Sequence, residues 1–428
     1  MYIAYRAITA VAAPIGAAWL TANGRHRRLR ARWNPPPPNP VPERPVWVHA
    51  CSVGEVGVAR PLLAAMRERW PHVPLLLTVS TAAGYDFARD ACPETPLTWF
   101  PFDTIPAVRK FLTWARPRTL AIIETELWPN VLRETRRTGA AVVLLNGRRS
   151  DKHYGRYTRF ALWIRPVVRQ LSAAGMQNEE YARRLVALGA DPSRVRVTGN
   201  TKFDGLRIGA DPAVTAKLRI EHGLSNDAPI LVFGSTRPGD ETLAARCWKQ
   251  LRETSPALRL IVAPRHVDRL GEALAPFDEP IQRRSAVKAG EAPSDARIIV
   301  LDGVGELVHF YALATVAVVG GSFFPGVNGH NPLEPVAAGA PVVFGPYMRN
   351  FMDPARELVK HGGAIQVATP DELLPVLERL LGDPEERRRL VECGRAGIEA
   401  NRGAIQRSLD LIEEYAPAVR ATVEQRDE

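Results

Sequence analysis

VWVHACSVGEVGVARPLLAAMRERWPHVPLLLTVS, residues 46–80, decides how this chain is read. Its ends, VWVHACS (46–52) and PLLLTVS (74–80), are short apolar runs, the pattern of strands buried on both faces. Between them VARPLLAAMRERW (58–70) is rich in helix formers and reads as a helix. Strand, helix and strand in this order form the unit from which parallel sheets are built.

The pattern continues on the C-terminal side. LTWFPF (97–102), TLAIIE (119–124), AVVLLNG (141–147) and LSAAGMQ (171–177) extend the first series. A second series runs PILVFGST (229–236), LRLIVAPR (258–265), ARIIVLDG (296–303), TVAVVGGSF (315–323), APVVFGP (340–346) and GAIQVAT (363–369). Alternation of this kind predicts an α/β protein of two Rossmann-like domains facing each other across a central cleft. The boundaries read as 46–205 and 206–428, with residues 385–416 helical and counted with the second domain. A chain of 428 residues suits two cores better than one.

Upstream of residue 46 the composition changes. AITAVAAPIGAAWLTANG (7–24) is uncharged and is flanked by Arg6 and by Arg25, Arg27, Arg28, Arg30 and Arg32. A bilayer span needs about 20 residues, so this stretch is barely long enough. Residues 1–33 are expected to be an N-terminal membrane-anchor helix with a basic flank, spanning the bilayer or lying on it. An ordinary soluble first helix is the alternative. The arginines would keep the body cytoplasmic, and a cleaved signal peptide is disfavoured for want of a small-x-small site. NPPPPNPVPERP (34–45) reads as a stiff polyproline II spacer.

The net charge of +10 is uneven. Residues 1–33 hold six Arg and no acid, residues 34–200 hold 23 Lys and Arg against 14 acids, and residues 201–428 hold 27 against 32. A basic N-terminal half suits an anionic lipid or a phosphorylated substrate. Nucleic acid is disfavoured, because aromatic residues are not interleaved with the basic ones as stacking platforms. Cys51, Cys92, Cys247 and Cys393 form no CxxC pair, which argues against a zinc site and a disulfide framework.

Ligands of doubly wound sheets bind outside the carboxyl ends of the strands, and the polar motifs fall there. Glu55 lies in a Gly-flanked turn between a strand and a helix. It reads either as a carboxylate held at a cleft or as a first-turn charge favoured by the helix dipole. Glu124 and Glu126 close the strand TLAII, ahead of Trp128 and Pro129. In FGSTRPGDE (233–241), Ser235, Thr236 and nearby amides suit a phosphate. The GK[ST] ending of a Walker loop is missing. Arg265 and His266 end the next strand. GGSFFPGVNGHNPLEP (320–335) holds Gly321 and Ser322, then Asn331 and Glu334 at a helix start, where sugar hydroxyls and a phosphate would find partners. The absence of GxGxxG after the first strand weakens a dehydrogenase reading.

Taken in order, HACSVGE (49–55), ETELWPN (124–130), GNTKFD (199–204), GSTRPGDE (234–241), APRH (263–266), GEL (305–307) and GGSFFPGVNGHNPLEP resemble the motif set of the Kdo (3-deoxy-D-manno-octulosonic acid) transferases. The resemblance covers about residues 40–370. It implies the GT-B architecture and transfer of Kdo from CMP-Kdo to a lipid A precursor (lipid IVA) at the cytoplasmic face of the bacterial inner membrane. The first domain would take the acceptor and the second the donor nucleotide. By the same resemblance Glu55 matches the catalytic base, and Glu124 and Lys202 match positions that stabilise the transition state. Pro264, Arg265, Val304, Gly305, Glu306, Asn331, Pro332, Leu333 and Glu334 match the CMP-binding segments. Cys51 stands where Ala or Val is commoner, and GVNGHN is slightly longer than the usual loop, which bears only on loop detail.

The chemistry agrees with that resemblance. A sugar hydroxyl needs a base to accept its proton during attack, and attack opposite the leaving CMP inverts the anomeric centre. The leaving phosphate suits Arg265, Lys202 and helix amides. No DxD-type pair is found, so neither metal nor cofactor is expected. Two alternatives stand beside this one: another envelope GT-B transferase using a UDP-sugar, and an anchored nucleotide-binding scaffold without catalysis.

Overall fold

The computed structural model describes residues 2–22, 24–148, 154, 155, 158–416 and 419. The chain divides into two compact units, Met1–Gly205 with Arg402–Glu428, and Leu206–Asn401.

The first unit is built on β1 (Val46–Ala50), β2 (Leu75–Val79), β3 (Leu97–Trp99), β4 (Thr119–Ile123), β5 (Ala141–Gly147), β6 (Ala173–Met176) and β7 (Val195–Val197). They pair in parallel in the order β3-β2-β1-β4-β5-β6-β7. Val46 is in register with Leu75 on one side and Thr119 on the other, which puts β1 in the interior of the sheet. Side chains of a strand alternate between faces. Val46, Val48 and Ala50 therefore join Val56, Leu62 and Met66 of the helix Val53–Arg69 in one core, while Trp47 joins Phe100, Phe111 and Leu120 in another.

The second unit repeats the plan with β8 (Ile230–Thr236), β9 (Arg259–Pro264), β10 (Ile281–Arg283), β11 (Ile298–Val300), β12 (Val316–Val319), β13 (Val342–Phe344) and β14 (Ile365–Gln366). Its order is β10-β11-β9-β8-β12-β13-β14, again parallel. In each sheet the winding reverses beside the first strand, between β1 and β4 and between β8 and β12. Crevices of such sheets open at these points.

Three expectations change. First, β7 (VRV) and β10 (IQR) carry no apolar run, because they are edge strands with a charged residue in three positions. Second, residues 385–416 form two helices, Pro384–Ala400 and Ala404–Tyr415, broken at Gly403 with φ 86. The second of these belongs to the first unit, not to the second as the sequence suggested. Its Ile405, Leu409 and Ile412 enter the core behind β1, and Trp70 Nε1 donates to Glu413 at 2.6 Å.

Third, residues 7–24 do not yield the spanning anchor. A helix forms at Tyr2–Ala22, yet no helix among the described residues is long and apolar enough to cross a membrane. Arg6 lies within it and pairs with Glu134 at 2.7 Å, and Tyr5 Oη donates to Asp103 at 2.8 Å, so polar contacts tie its first turns to the first unit. The Pro-rich stretch is also tied down: Thr98 Oγ1 donates to the Pro36 carbonyl at 2.6 Å.

Candidate active site

Glu55 stands in the first turn of the helix that follows β1, half-buried, and its Oε2 accepts the Cys51 amide hydrogen at 2.5 Å. Burial pushes its carboxyl up to about 8; the charges of Glu124 and Glu126 add to this, and the Cys51 amide and Arg148 oppose it. Those neighbours come from the ends of other strands. The sheet therefore gathers Glu55, Glu124 and Glu126 at its reversal between β1 and β4.

Glu124 follows β4 directly, is buried, and has φ 63, a left-handed conformation that costs a non-glycine residue energy. Its amide donates to Leu145 O at 2.9 Å and its Oε2 lies 2.7 Å from Arg148 Nε. Glu126 Oε2 accepts from Trp128 Nε1 at 2.8 Å. Arg32 reaches the same end of the sheet: Nε donates to Phe100 O at 2.9 Å and the guanidinium covers the Phe102 ring at 4.4 Å. Burial lowers its pKa to about 10, against the charge of Glu126, so it stays cationic at neutral pH. Burial also pushes the His49 pKa down to about 3 and the Cys51 thiol up to about 12, leaving both neutral.

Lys202 sits in the turn Thr201–Phe203 after the edge strand β7. Polar side chains fold that turn back over the neighbouring strands. Thr201 N donates to Asn146 Oδ1 at 3.1 Å, Gln177 Nε2 to Asn146 O at 3.0 Å, and Lys202 N to Asn200 Oδ1 at 3.1 Å. Asn146 belongs to β5, the neighbour of β4, so the Lys202 turn is tied to the strand beside Glu124.

In the second unit the candidates follow β8, β9, β11 and β12. Ser235 has φ 56, where β8 shifts register against β9 between Gly234 and Thr236. Arg265 and His266 follow Pro264, the end of β9. Their charges and that of Arg237 act on His330, whose pKa burial lowers to about 4. Among the described residues the buried His330 Nε2 has no hydrogen-bond partner. Arg265 also acts on Glu334, opposing the rise that burial causes there. Asn331 Oδ1 accepts from Leu333 N at 3.1 Å, and its Nδ2 donates to Glu334 Oε1 at 3.1 Å, above Pro332 at the head of the helix Leu333–Ala338. Loops after β8, β9 and β12 thus bring together a basic cluster that suits a phosphate.

Several residues named from sequence support loops. Ser322 is fully buried; its hydroxyl donates to Val319 O at 2.6 Å and accepts from Gly345 N at 2.9 Å. Thr236 Oγ1 donates to Glu241 at 2.9 Å. The Gly321 amide donates to Asp240 Oδ2 at 2.6 Å, and Arg237 N donates to the same oxygen at 2.9 Å. Asp240, which burial raises to about 6, ties the loops after β8 and β12 together. Glu306 pairs with Arg284 at 3.0 Å and Lys288 at 3.3 Å; burial works to raise its pKa, and these cations carry it below the ordinary value. Val304 is 85% exposed beside Gly305, which has φ 96. Sequence reasoning missed Arg32, Arg148, Arg237, Asp240 and His330. For the last three the signal was their place inside motifs already singled out; the two others had none. Among the described residues no group of three His, Cys, Asp or Glu could hold a metal ion.

A family model described as 3-Deoxy-D-manno-octulosonic-acid transferase (kdotransferase) matches residues 25–205. A 3-deoxy-D-manno-octulosonic acid transferase of Bordetella pertussis is 34% identical over 420 residues, 94% of this chain and 93% of that one. Its counterpart in Haemophilus influenzae is 30% identical over 381 residues, 87% and 88% of the two chains. Among solved structures, a putative UDP-N-acetylglucosamine 2-epimerase from Listeria monocytogenes superposes with a TM-score of 0.58 at 13% identity, covering 87% of this chain and 96% of that one. That last likeness is one of fold alone.

Proposed function

Since this chain belongs to the 3-deoxy-D-manno-octulosonic acid transferase family, and is thereby a glycosyltransferase of lipopolysaccharide synthesis, we propose that it moves Kdo from CMP-Kdo to a lipid A precursor. Glu55 is the general base in this reading. The observation that carries it is the Glu55 carboxyl at the β1/β4 reversal, raised to about 8 by burial beside Glu124 and Glu126. A base works best with a pKa near the operating pH, because it must be ionised in part and still hold a proton well. At pH 7 about a tenth of such a carboxyl is ionised.

The reaction is a single displacement. Glu55 takes the proton of the acceptor hydroxyl as its oxygen bonds to the anomeric carbon of Kdo. The bond from that carbon to the phosphate oxygen breaks, and CMP leaves with the electron pair. Positive charge grows on the sugar ring in the transition state, as in other glycosyl transfers. The Glu124 carboxylate, set by Arg148 and its left-handed backbone, faces that charge in this reading, and Lys202 stabilises the departing phosphate. Arg265, His266, Arg237 and His330 hold the phosphate of CMP. Asn331, Glu334 and Ser235 bind the nucleoside and sugar hydroxyls. In this reading the work is done at the cytoplasmic face of the bacterial inner membrane, which suits a lipid acceptor and the basic N-terminal segment.

Incubation of the full chain with CMP-Kdo, generated in situ, and a tetra-acylated lipid A precursor tests this reading by mass spectrometry of the lipid. A product heavier by one or more Kdo residues supports it. An unchanged lipid with a folded protein that is thermally stabilised by UDP and not by CMP would overturn it.

A further inference from the structure

Between the helix Tyr2–Ala22 and the rest of the first unit lies an open-sided apolar cavity of about 410 Å³. Ala12, Ala13 and Gly16 line it from the helix, and Trp33, Phe102 and Trp128 from the body. A helix face of small residues opposite three aromatic rings leaves room for an apolar occupant. A second cavity, of about 520 Å³, shares Ala13 and Trp33 with it.

Two of these walls are also walls of the candidate active site. Trp128 lines the cavity, and its Nε1 donates to Glu126, whose charge acts on Glu55. Phe102 lines the cavity and carries the Arg32 guanidinium over its ring at 4.4 Å. Among the described residues Arg32 donates to the backbone carbonyls of Phe100 and Ser80 and forms no ion pair. A buried cation that the charge of Glu126 reaches without an ion pair is suited to an incoming anion. The Phe102 ring thus stands between the apolar space and a cation on the side of the base, a complement to a chain attached to an anionic head.

We propose that this cavity receives one acyl chain of the anionic lipid acceptor and that Arg32 binds a negative group of its head. The proposal rests on the transferase reading for the identity of the lipid. A methylene and a water take similar room, roughly 30 Å³ each, so the cavity holds on the order of a dozen carbons of a chain. An acyl chain anchored there sets its headgroup beside Glu55, while the remaining chains stay in the membrane.

The test uses the full chain in detergent micelles and a phosphatidic acid with brominated acyl chains, which quenches tryptophan fluorescence on contact. Trp33 and Trp128 are the reporters. Wild-type quenching should saturate, and Ala13→Phe, which fills the cavity, should weaken it at least tenfold. Ala12→Leu replaces it if circular dichroism shows Ala13→Phe unfolded. Arg32→Gln should abolish the preference for brominated phosphatidic acid over brominated phosphatidylcholine. In a second arm, the ratio of kcat/KM for the tetra-acylated acceptor to that for the deacylated sugar phosphate should fall about tenfold in Ala13→Phe. Unaltered quenching and an unaltered ratio overturn the chain site and leave the transferase reading standing. Quenching that is lost in Ala13→Phe, in a protein that transfers no Kdo, sustains the chain site and overturns the transferase reading. An Arg32→Gln protein that still prefers phosphatidic acid overturns the headgroup assignment.

Discussion

The Glu55 carboxylate accepts the amide hydrogen of Cys51 at 2.5 Å, so the candidate base also secures the start of its own helix. A first-turn Glu reaching back to an orphan amide is a helix-start device in its own right. The two readings open from sequence, helix charge and catalytic base, are therefore compatible. Glu55→Gln separates them, because a Gln oxygen still accepts that hydrogen but takes no proton from a hydroxyl. Kdo transfer should fall by about 10²–10⁴-fold, while CMP binding, read by thermal shift, stays within twofold of wild type. Full activity in this variant would remove Glu55 from the mechanism.

The raised pKa sets a pH dependence. The ionised form is the active base, so kcat/KM should rise about tenfold from pH 6 to pH 7 and level off above about 8. Stability runs the other way. The folded protein favours the protonated carboxyl, whereas the unfolded chain ionises near 4.5, so wild type loses stability as pH rises from about 4.5 to about 8. Glu55→Gln lacks that loss. Its melting temperature relative to wild type should therefore be more favourable at pH 8 than at pH 5, in paired thermal melts.

Arg148 bears on both carboxylates. It lies 2.7 Å from Glu124 and lowers the pKa of Glu55. Arg148→Gln should leave the buried Glu124 carboxylate short of a partner and destabilise the first unit by about 1–3 kcal/mol in urea unfolding. It should also move the midpoint of the pH–rate profile upward. A variant with lower stability and an unmoved midpoint would limit Arg148 to a structural part.

Much of the fold was legible because the strands are buried on both faces and carry little but Val, Ile, Leu and Ala. AVVLLNG, for example, is β5 end to end. Edge strands lack that signature, and VRV and IQR were missed for that reason. The destination of Ala404–Tyr415 was also hidden: its apolar stripe says that one face is buried, not which sheet buries it. At the site, Glu55 and Glu124 were legible from their place after apolar strands. Arg32 and Arg148 were not, since each acts through a fold that brings it to partners far along the chain, and lone arginines look alike in sequence.

Gly234 illustrates a constraint that only packing shows. A Cβ there would stand 1.8 Å from the hydroxyl of the buried Tyr311. Gly234→Ala forces that ring or β8 to move, at a cost of about 1–3 kcal/mol for overpacking. Because Ser235 and Arg237 follow at once, the same shift disturbs the basic cluster around His330, and CMP affinity should fall together with the unfolding midpoint. A variant stable to within 0.5 kcal/mol, roughly the scatter of surface substitutions, would show that the ring has room to yield.

Asp204 and the helix Ala404–Tyr415 make a connection that ties this helix back to the first unit. The Asp204 carboxylate accepts the Gly403 amide at 2.7 Å and the Ile405 amide at 2.5 Å, capping a helix about two hundred residues away in sequence. The helix dipole and two orphan amides favour a negative charge at that point. Asp204 also lies two residues beyond Lys202, so the cap helps to fix the turn that carries the lysine. Asp204→Ala should cost about 1–2 kcal/mol, as loss of a helix cap does, and should expose the break at residues 401–403 to limited proteolysis. Asp204→Asn, which keeps an acceptor, should restore most of the protection. Equal resistance of the Ala variant and wild type would mean that Leu409, Ile412 and the Trp70–Glu413 bond hold the helix without the cap.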